Sequence, residues 1–270
     1  MLILAIDTST SSGGVALFED DNLLGEHFIS VFQARSERLI PDCVALFDAV
    51  DRDLEDLAGI AVTIGPGSYT GVRIGVTAAK VLGYILKCPL VGISTIDVLA
   101  LGVRALAGEK ICPIIAAKRG NVYWALYDAQ DVSANGSCDI GLGDLLALPD
   151  RCVIKTTDIR ISNIDELLRN LPDIPGNILF TGDGVSDNWQ KIRAHLGRRA
   201  IKVSGTYRKP RAAILAELGL LRMKRGEATD AFHLEPYYHR RPDAEVKWEA
   251  KISGQRACGR APGEDPRHEG

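Results

Sequence analysis

Two short segments of the sequence bring together residue types that can bind phosphate or metal. Asp7 is followed by a run of hydroxyl residues, Thr8, Ser9 and Thr10. The seven residues 65–71 contain three glycines. Carboxylates and hydroxyls are oxygen ligands for hard cations, and backbone amides at the start of a helix bind anions. The same residues also stabilise turns or let two backbones approach closely, so both interpretations stay open here.

The glycine-rich segment does not match the known nucleotide-binding loops. A P-loop requires Lys directly after its last glycine, and here Gly71 is followed by Val72. The dinucleotide-binding fingerprint fails because Thr70 stands where the third glycine belongs. Ser68 lies between Pro66 and Thr70, whereas a nucleophile elbow needs glycines at both positions.

The spacing of the histidines and cysteines indicates no metal site and no catalytic triad. The five histidines show no H-x-x-x-H or H-E-x-x-H arrangement, and the six cysteines show no C-x-x-C pair. We therefore expect no metal site, no hydrolytic active site, and cysteines that are buried reduced thiols.

The sequence shows no pattern of a secretory signal or a membrane span. The opening apolar run ends at Asp7 without a charged region before it, and no stretch approaches the ~20 apolar residues of a membrane span. The prediction is a cytoplasmic protein with no membrane partner.

Charge is unevenly distributed along the chain. The formal net charge of the 270 residues is −3, which excludes a global positive field that would attract nucleic acid. Residues 191–225, however, contain eleven Lys and Arg residues and a single acidic residue, Glu217. This segment is either a solvated helical surface or a contact for an RNA backbone or an acidic partner. The candidate contacts for an RNA backbone are Arg198, Arg199, Lys202, Arg208 and Lys209.

The hydrophobic pattern predicts the elements that position these residues. Apolar runs predict three antiparallel strands, then helix, strand, helix and strand, at residues 2–7, 15–18, 23–30, 36–50, 59–64, 72–86 and 90–93. Helix 72–86 is apolar over most of its circumference, which indicates burial on two sides. Beyond it the pattern predicts helices at 95–107 and 211–225, strands at 111–116, 122–127 and 178–181, and irregular structure over 128–177.

Several motifs occur in the order and spacing of the bacterial TsaB (YeaZ) family, which this chain resembles. Three of them are LAIDTST at residues 4–10, GPGSYTGVRIG at 65–75 and TGDG at 181–184. The others lie at residues 36–41, 91–94, 118–123 and 236–238. The resemblance extends to about Trp248. It implies an α/β fold of the ASKHA (actin-like or RNase H-like) type with two lobes, each a mixed sheet flanked by helices. The lobes are predicted at 1–100 and 101–250, the second containing the C-terminal helix, with a disordered tail at 251–270.

The resemblance also implies a function. The family is the non-catalytic scaffold of the complex that makes threonylcarbamoyladenosine (t6A) beside the anticodon of ANN-reading tRNAs. TsaD carries the catalysis, TsaE is a further partner, and ATP and metal are used by the partner subunits. TsaD has an H-x-x-x-H metal pair whose places are taken here by Ile93 and Asp97. We therefore expect no catalytic residue and no cofactor, with vestigial phosphate loops at Asp7 to Thr10 and at Gly182, Asp183 and Gly184.

Two alternatives remain from another class of protein: an active ASKHA-type ATPase that uses Asp7 and the 182–184 turn, or a glycoprotease-like hydrolase.

The resemblance to the family implies that TsaD contacts the first two helices. The small and apolar residues of those helices predict the interface, namely Leu39, Cys43, Phe47, Val72, Gly75, Ala78, Ala79, Leu82 and Gly83. An exposed patch of this kind predicts a homodimer in isolation. Replacing Ala79 by Glu is expected to abolish the heterodimer and leave the fold intact.

Overall fold

The computed structural model describes residues 1–29, 36–130, 145–148, 151–171 and 176–237. The first part forms a five-stranded sheet in the order β3-β2-β1-β4-β5. Its strands are β1 (Leu2–Asp7), β2 (Gly13–Glu19), β3 (Asn22–Ile29), β4 (Leu57–Gly65) and β5 (Leu90–Ser94). β1 pairs antiparallel with β2 and parallel with β4, so the sheet is mixed.

The central strand β1 is apolar along its length because both faces of this sheet are covered. Leu4 and Ile6 face a core that contains residues of α1 (Leu39–Ala49) and α2 (Tyr69–Leu86). Ile3 and Ala5 face the opposite core, which contains residues of α3 (Thr95–Leu101) and α6 (Ala212–Lys224). Alternate residues of a strand point to opposite faces, so a strand covered on both sides reads as one continuous apolar run.

The second part forms an eight-stranded mixed sheet. Within it β6 (Lys110–Ala116) pairs antiparallel with β7 (Asn121–Trp124) and β8 (Tyr127–Gln130), and parallel with β12 (Ile178–Thr181). The remaining strands are β9 (Leu145–Leu148), β10 (Arg151–Lys155), β11 (Arg160–Asn163) and β13 (Ala200–Lys202). The helices α4 (Ile164–Asn170) and α5 (Val185–Leu196) cover one face of this sheet. The predicted fold class, two mixed sheets flanked by helices, is confirmed.

Helix α6 packs between the two sheets. The prediction places this C-terminal helix in the second lobe, whereas in the structure it packs against β1, β2 and β4 of the first sheet. Gly219 is the point of closest approach, where a Cβ would overlap that of Ala61 on β4. The lobe boundary at residue 100 stays a prediction, and the predicted tail at 251–270 lies outside the described residues.

Most predicted elements of the first part are present, whereas the second part contains more structure than the sequence pattern indicates. Residues 128–177 were expected to be irregular, yet β10, β11 and α4 lie there. Helix α3 ends at Leu101 and not at residue 107. Three cysteines are free and buried as expected, but Cys152 is disulfide-bonded. Within the described part of the chain, the helices are too short or too polar to cross a membrane.

Candidate functional site

The turn after β1 buries the Asp7 carboxylate completely. Its Oδ1 accepts hydrogen bonds from the Ser9 amide (3.1 Å), the Ser9 hydroxyl (2.6 Å) and the Thr63 hydroxyl (2.7 Å). Its Oδ2 is buried and has no hydrogen-bond partner among the residues that the structure describes. Thr8 and Ser9 are buried as well, and the Thr10 hydroxyl bonds the Ser12 hydroxyl at 2.9 Å. The oxygen atoms of this turn therefore face protein and not solvent.

The glycine-rich segment closes over this turn. The Ser68 amide donates to the Ser9 carbonyl (2.6 Å), and the Thr8 hydroxyl donates to the Gly71 carbonyl (2.7 Å). A Cβ at Gly67 would overlap the Ser9 carbonyl oxygen, and one at Gly71 would overlap the Thr8 carbonyl oxygen. The glycines are thus required for close approach of two backbones. The alternative that they form a phosphate loop is not supported by this geometry.

The electrostatics of the turn do not suit a nucleotide–metal site. Burial raises the pKa of Asp7 above its ordinary value, and the hydrogen bonds from Ser9 and Thr63 only partly oppose that effect. A metal ligand needs an ionised carboxylate with an open approach. Here Oδ1 is saturated with protein donors, and backbone covers the turn. The residues present do not fit Mg-nucleotide, so we assign no reaction step to this turn.

The second predicted phosphate loop is the turn that follows β12. Asp183 Oδ1 accepts a hydrogen bond from the Ala116 amide (2.9 Å), and the Gly184 amide donates to the Ile114 carbonyl (3.0 Å). Gly182 has φ +97° and lies so close to Ile114 that a Cβ would overlap its carbonyl oxygen. Burial raises the pKa of Asp183. These contacts hold the turn on the end of β6, which is a structural role.

The two positions expected to have lost the metal ligands are both buried. Ile93 belongs to the core between the sheets. Asp97 forms an ion pair with Lys155 (Oδ1 to Nζ, 2.7 Å), accepts a hydrogen bond from the Tyr127 hydroxyl (2.6 Å), and lies 3.7 Å from the Arg222 guanidinium. A hydrocarbon side chain cannot bind a metal, and the Asp97 charge is already balanced by cations. The residues that the structure describes contain no cluster of three metal-ligating side chains.

The predicted partner interface stays a prediction, but most of its residues lie in the core of this chain. Of its nine residues, Ala78 and Leu82 are half-buried. The other seven are buried beneath α1 and α2, namely Leu39, Cys43, Phe47, Val72, Gly75, Ala79 and Gly83. A Cβ at Gly75 would overlap the Thr8 hydroxyl oxygen, and one at Gly83 would overlap the Leu90 side chain. The small residues therefore let α2 lie close to its own sheet.

Burial also changes the pKa of Cys43, the cysteine of α1. The side chain of Cys43 lies in the core with Leu39 and Phe47. Desolvation, helped by the neighbouring Asp42, raises the pKa of the Cys43 thiol to about 12. This side of α1 therefore contacts the sheet.

The apolar residues that α1 and α2 do expose lie on their other sides. They are Ile40 and Val44 on α1, Val81, Tyr84 and Ile85 near the C-terminal end of α2, and Tyr69 at its first residue. Tyr84 and Ile85 keep 64% and 66% of their surface exposed. Val81, Tyr84 and Ile85 are spaced at three and four residues, which places them on one helical face. This spacing is visible in the sequence. It would identify the exposed face of α2 once the small residues Ala79 and Gly83 are assigned to the face that packs on the sheet.

A groove of about 940 Å³ lies beside these residues at the C-terminal end of α2. Tyr84, Ile85 and Cys88 line it from one side, and residues 228–232 line it from the other. The Tyr84 ring contacts the Phe232 ring edge to face, with 5.7 Å between centroids. Two of the exposed apolar residues, Tyr84 and Ile85, thus line a concave surface large enough for side chains of another protein.

The five candidate RNA contacts differ in their surroundings. Lys202 and Lys209 line the same cleft, whereas Arg198 is exposed elsewhere. Arg199 Nε donates to the Gly176 carbonyl (3.1 Å), and Arg208 Nη1 donates to the Ser186 hydroxyl (2.6 Å). Part of the basic segment therefore has structural roles that the sequence pattern did not indicate.

Comparisons with known proteins agree with this geometry. A family model described as TsaD, tRNA N6-adenosine threonylcarbamoyltransferase, matches residues 30–248. The chain is 36% identical over 248 residues to the tRNA threonylcarbamoyladenosine biosynthesis protein TsaB of Bacillus subtilis, covering 92% of this chain and 98% of that protein. The Escherichia coli TsaB is 35% identical over 132 residues, or 48% of this chain and 57% of that protein.

The fold is also shared with solved structures. YeaZ from Pseudomonas aeruginosa superposes with a TM-score of 0.70 at 24% sequence identity, covering 88% of this chain and 99% of that chain. At this identity the superposition shows the fold alone. Together with the sequence comparison, it shows that this chain belongs to the TsaB (YeaZ) family.

Proposed function

We propose that this chain is the non-catalytic scaffold subunit of the complex that synthesises t6A in tRNA. The observation that carries the proposal is the identity to Bacillus subtilis TsaB, which extends over 98% of that protein. In this role the chain binds and activates a TsaD-type transferase, with TsaE as a further partner. The transferase modifies the adenosine next to the anticodon of ANN-reading tRNAs, and the expected location is the cytoplasm.

The geometry supports a role without catalysis by this chain. Asp7 is enclosed by Ser9, Thr63 and the glycine-rich segment, and Asp97 is paired with Lys155. Asp7 has no exposed surface, and Asp97 is nearly fully buried, so neither carboxylate offers substrate an open approach from solvent. Under this proposal the chain holds no cofactor, and ATP and metal belong to the partner subunits.

The proposed docking surface for the transferase consists of the exposed residues Ile40, Val44, Val81, Tyr84 and Ile85. Exposed apolar residues that border a groove are typical of protein interfaces, and aromatic residues often dominate the binding energy there. In isolation the same surface would support a homodimer, because burying it against a second copy also removes apolar area from water.

Binding to the transferase tests the surface directly. The double variant Tyr84→Asp/Ile85→Asp should lose at least about 2 kcal/mol of binding free energy, which is about thirtyfold in Kd. Calorimetric titration with the TsaD-type partner measures this. Leu106→Asp is the matched control, since Leu106 is 76% exposed and lies outside the proposed surface. Equal affinity of the double variant and the wild type would contradict the assignment.

Activity tests the role itself. In a bacterium depleted of its own TsaB, expression of this chain should restore t6A in digested tRNA, measured by mass spectrometry. The purified chain should form t6A only when the transferase is added. Formation of t6A by the chain alone would overturn the proposal. The ATPase alternative makes the opposite prediction for the isolated chain, namely Mg-ATP binding that depends on Asp7.

A further inference from the structure

The chain that follows α6 returns to the first sheet and lies beside α2. We call residues 228–234 the strap. The amide of Leu90 donates to the Thr229 carbonyl and the amide of Thr229 donates to the Leu90 carbonyl, both at 2.8 Å, so the strap pairs with the outer edge of β5. At its other end Leu234 is buried in the core that also contains residues of α1 and α2. The strap is therefore fixed to the first sheet at both ends.

Helix α2 also holds the middle of the strap. Lys80 Nζ on α2 donates to the carbonyls of Phe232 (3.4 Å) and Leu234 (3.0 Å). Within the strap, Asp230 Oδ1 accepts hydrogen bonds from the amides of Phe232 (2.8 Å) and His233 (3.0 Å). The backbone on both sides of Phe232 is thus ordered by hydrogen bonds before any partner binds.

Phe232 presents an aromatic ring to solvent from this ordered backbone. It keeps 73% of its surface exposed, and its ring contacts the exposed Tyr84 ring edge to face. Lys80 and Tyr84 are four residues apart, so they lie on one side of α2 and both contact the strap. Phe232 therefore extends the exposed apolar face of α2 onto a second segment. An ordered side chain of this kind loses little conformational freedom when it is buried by a partner.

The charges of this surface favour a protein partner and not a nucleic acid. Residues 69–86 form α2 and contain two cations and no acidic residue. Lys80 binds the strap carbonyls, and the Arg73 guanidinium lies 4.1 Å from the centroid of the Tyr69 ring. The groove beside Phe232 is lined by one cation, Lys87, and one acidic residue. An RNA backbone needs several cations facing it, whereas an apolar helix face needs apolar side chains and a groove.

We propose, on the basis of the function proposed above, that the strap is the second wall of the surface that binds the transferase and that Phe232 is an aromatic anchor in it. The family model described as TsaD matches this chain over a range that includes α1, α2 and the strap. A transferase of that family is therefore built on related elements and can present a related apolar helix face. One apolar side chain of that face would enter the groove that Tyr84 and Phe232 line.

The test is calorimetric titration of the full chain with the TsaD-type transferase. Phe232→Ala should raise the Kd at least about tenfold, because aromatic anchors dominate the binding energy of many interfaces. Phe232→Leu keeps most of the apolar area and should raise the Kd less than about threefold. Leu106→Ala is the matched control, since Leu106 is 76% exposed and lies outside this surface, and its Kd should equal that of the wild type. Thermal melting shows that each variant is folded.

A double-mutant cycle with Tyr84→Ala locates the effect in the aromatic pair. Because the two rings are in contact, their separate effects on Kd should not add. Strictly additive effects would contradict the pair as one binding unit.

The controls separate the strap from the function on which its role depends. If the wild type does not bind the transferase, the proposed function fails and the role of the strap fails with it. If Tyr84→Asp/Ile85→Asp weakens binding and Phe232→Ala does not, the role of the strap alone is overturned. Self-association and tRNA binding of the isolated chain are measured in parallel by sedimentation. Loss of either in Phe232→Ala, with unchanged affinity for the transferase, would assign the strap to a second copy or to RNA and overturn the proposal.

Discussion

At the scale of single residues, Asp7 shows how a side chain typical of catalysis can serve structure. Its Oδ1 joins the β1 turn to Thr63 on β4, while Oδ2 makes no hydrogen bond to any described residue. The hydrogen bonds favour the ionised carboxylate, and burial opposes it more strongly. The residue therefore links two strands at an electrostatic cost that depends on pH.

That cost predicts the pH dependence of stability. Burial raises the native pKa of Asp7 above the ordinary 3.8, so the native state keeps this proton to higher pH than the unfolded chain does. The associated stability is present at low pH and is lost as the pH rises through the native pKa. Asp7→Asn cannot ionise, and its amide oxygen can still accept the Ser9 and Thr63 hydrogen bonds. We expect the Tm of this variant, relative to wild type, to increase as the pH rises above the ordinary pKa of 3.8.

The control for this prediction has the opposite sign. Asp20 is exposed and its pKa is lowered by the N-terminal ammonium group, with which it forms a hydrogen bond of 2.7 Å. Asp20→Asn should therefore lose a small amount of stability at neutral pH, and this difference should vanish in acid. A Tm difference for Asp7→Asn that stays constant over the pH range would contradict the account of Asp7.

At the scale of elements, α2 is apolar on two sides for two different reasons. Ala79 and Gly83 lie against the sheet, where their small size permits close packing. Val81, Tyr84 and Ile85 are exposed on another face. The sequence pattern predicts burial of this helix on two sides, and the structure buries one side against the chain's own sheet; burial of the other side by a partner stays a prediction. Periodicity alone does not show which side faces the sheet.

This assignment reverses the expected result for Ala79→Glu. Ala79 has no exposed surface and belongs to the core beneath α2. A carboxylate there would be buried without a partner, which we expect to cost at least about 3 kcal/mol of unfolding free energy. Val81→Glu on the exposed face should change stability by less than about 0.5 kcal/mol. Urea denaturation followed by circular dichroism measures both, and a stable Ala79→Glu protein would contradict the orientation of α2.

At the scale of the whole molecule, the buried charges around Asp97 connect the two sheets. Asp97 begins α3 beside the first sheet, whereas Tyr127 and Lys155 belong to β8 and β10 of the second. Arg222 reaches the same carboxylate from α6. Directional ionic contacts of this kind fix how the layers pack, and apolar contacts alone do not.

The pair also predicts a large coupling energy. Lys155→Met removes the closest cation and leaves the Asp97 carboxylate buried with fewer partners, which should lower the unfolding free energy by about 3 kcal/mol. Asp97→Asn in the same background should recover part of that loss, because the uncompensated charge is gone. A double-mutant cycle from denaturant melts measures this coupling. Additive effects of the two substitutions would show that the ion pair does not connect the layers.

The sequence predicted local elements well where their patterns were long. The run 2–7 and the pattern of helix 72–86 indicated β1 and α2, because each is one uninterrupted element in a covered layer. The segment 128–177 was predicted poorly. Its elements β10, β11 and α4 are four to seven residues long and follow one another closely, so each is too short for its periodicity to be recognised.

By itself the sequence determined the family, the α/β class and the absence of known phosphate-binding loops, because these depend on residue order and spacing. The tertiary structure decided which side of α2 is exposed, how Asp7 and Asp97 are enclosed, and that α6 packs between the two sheets. Each of these depends on contacts between residues far apart in the chain. The position of α6 between the sheets shows the same principle, since its packing against β1 and β4 brings together residues more than 150 positions apart.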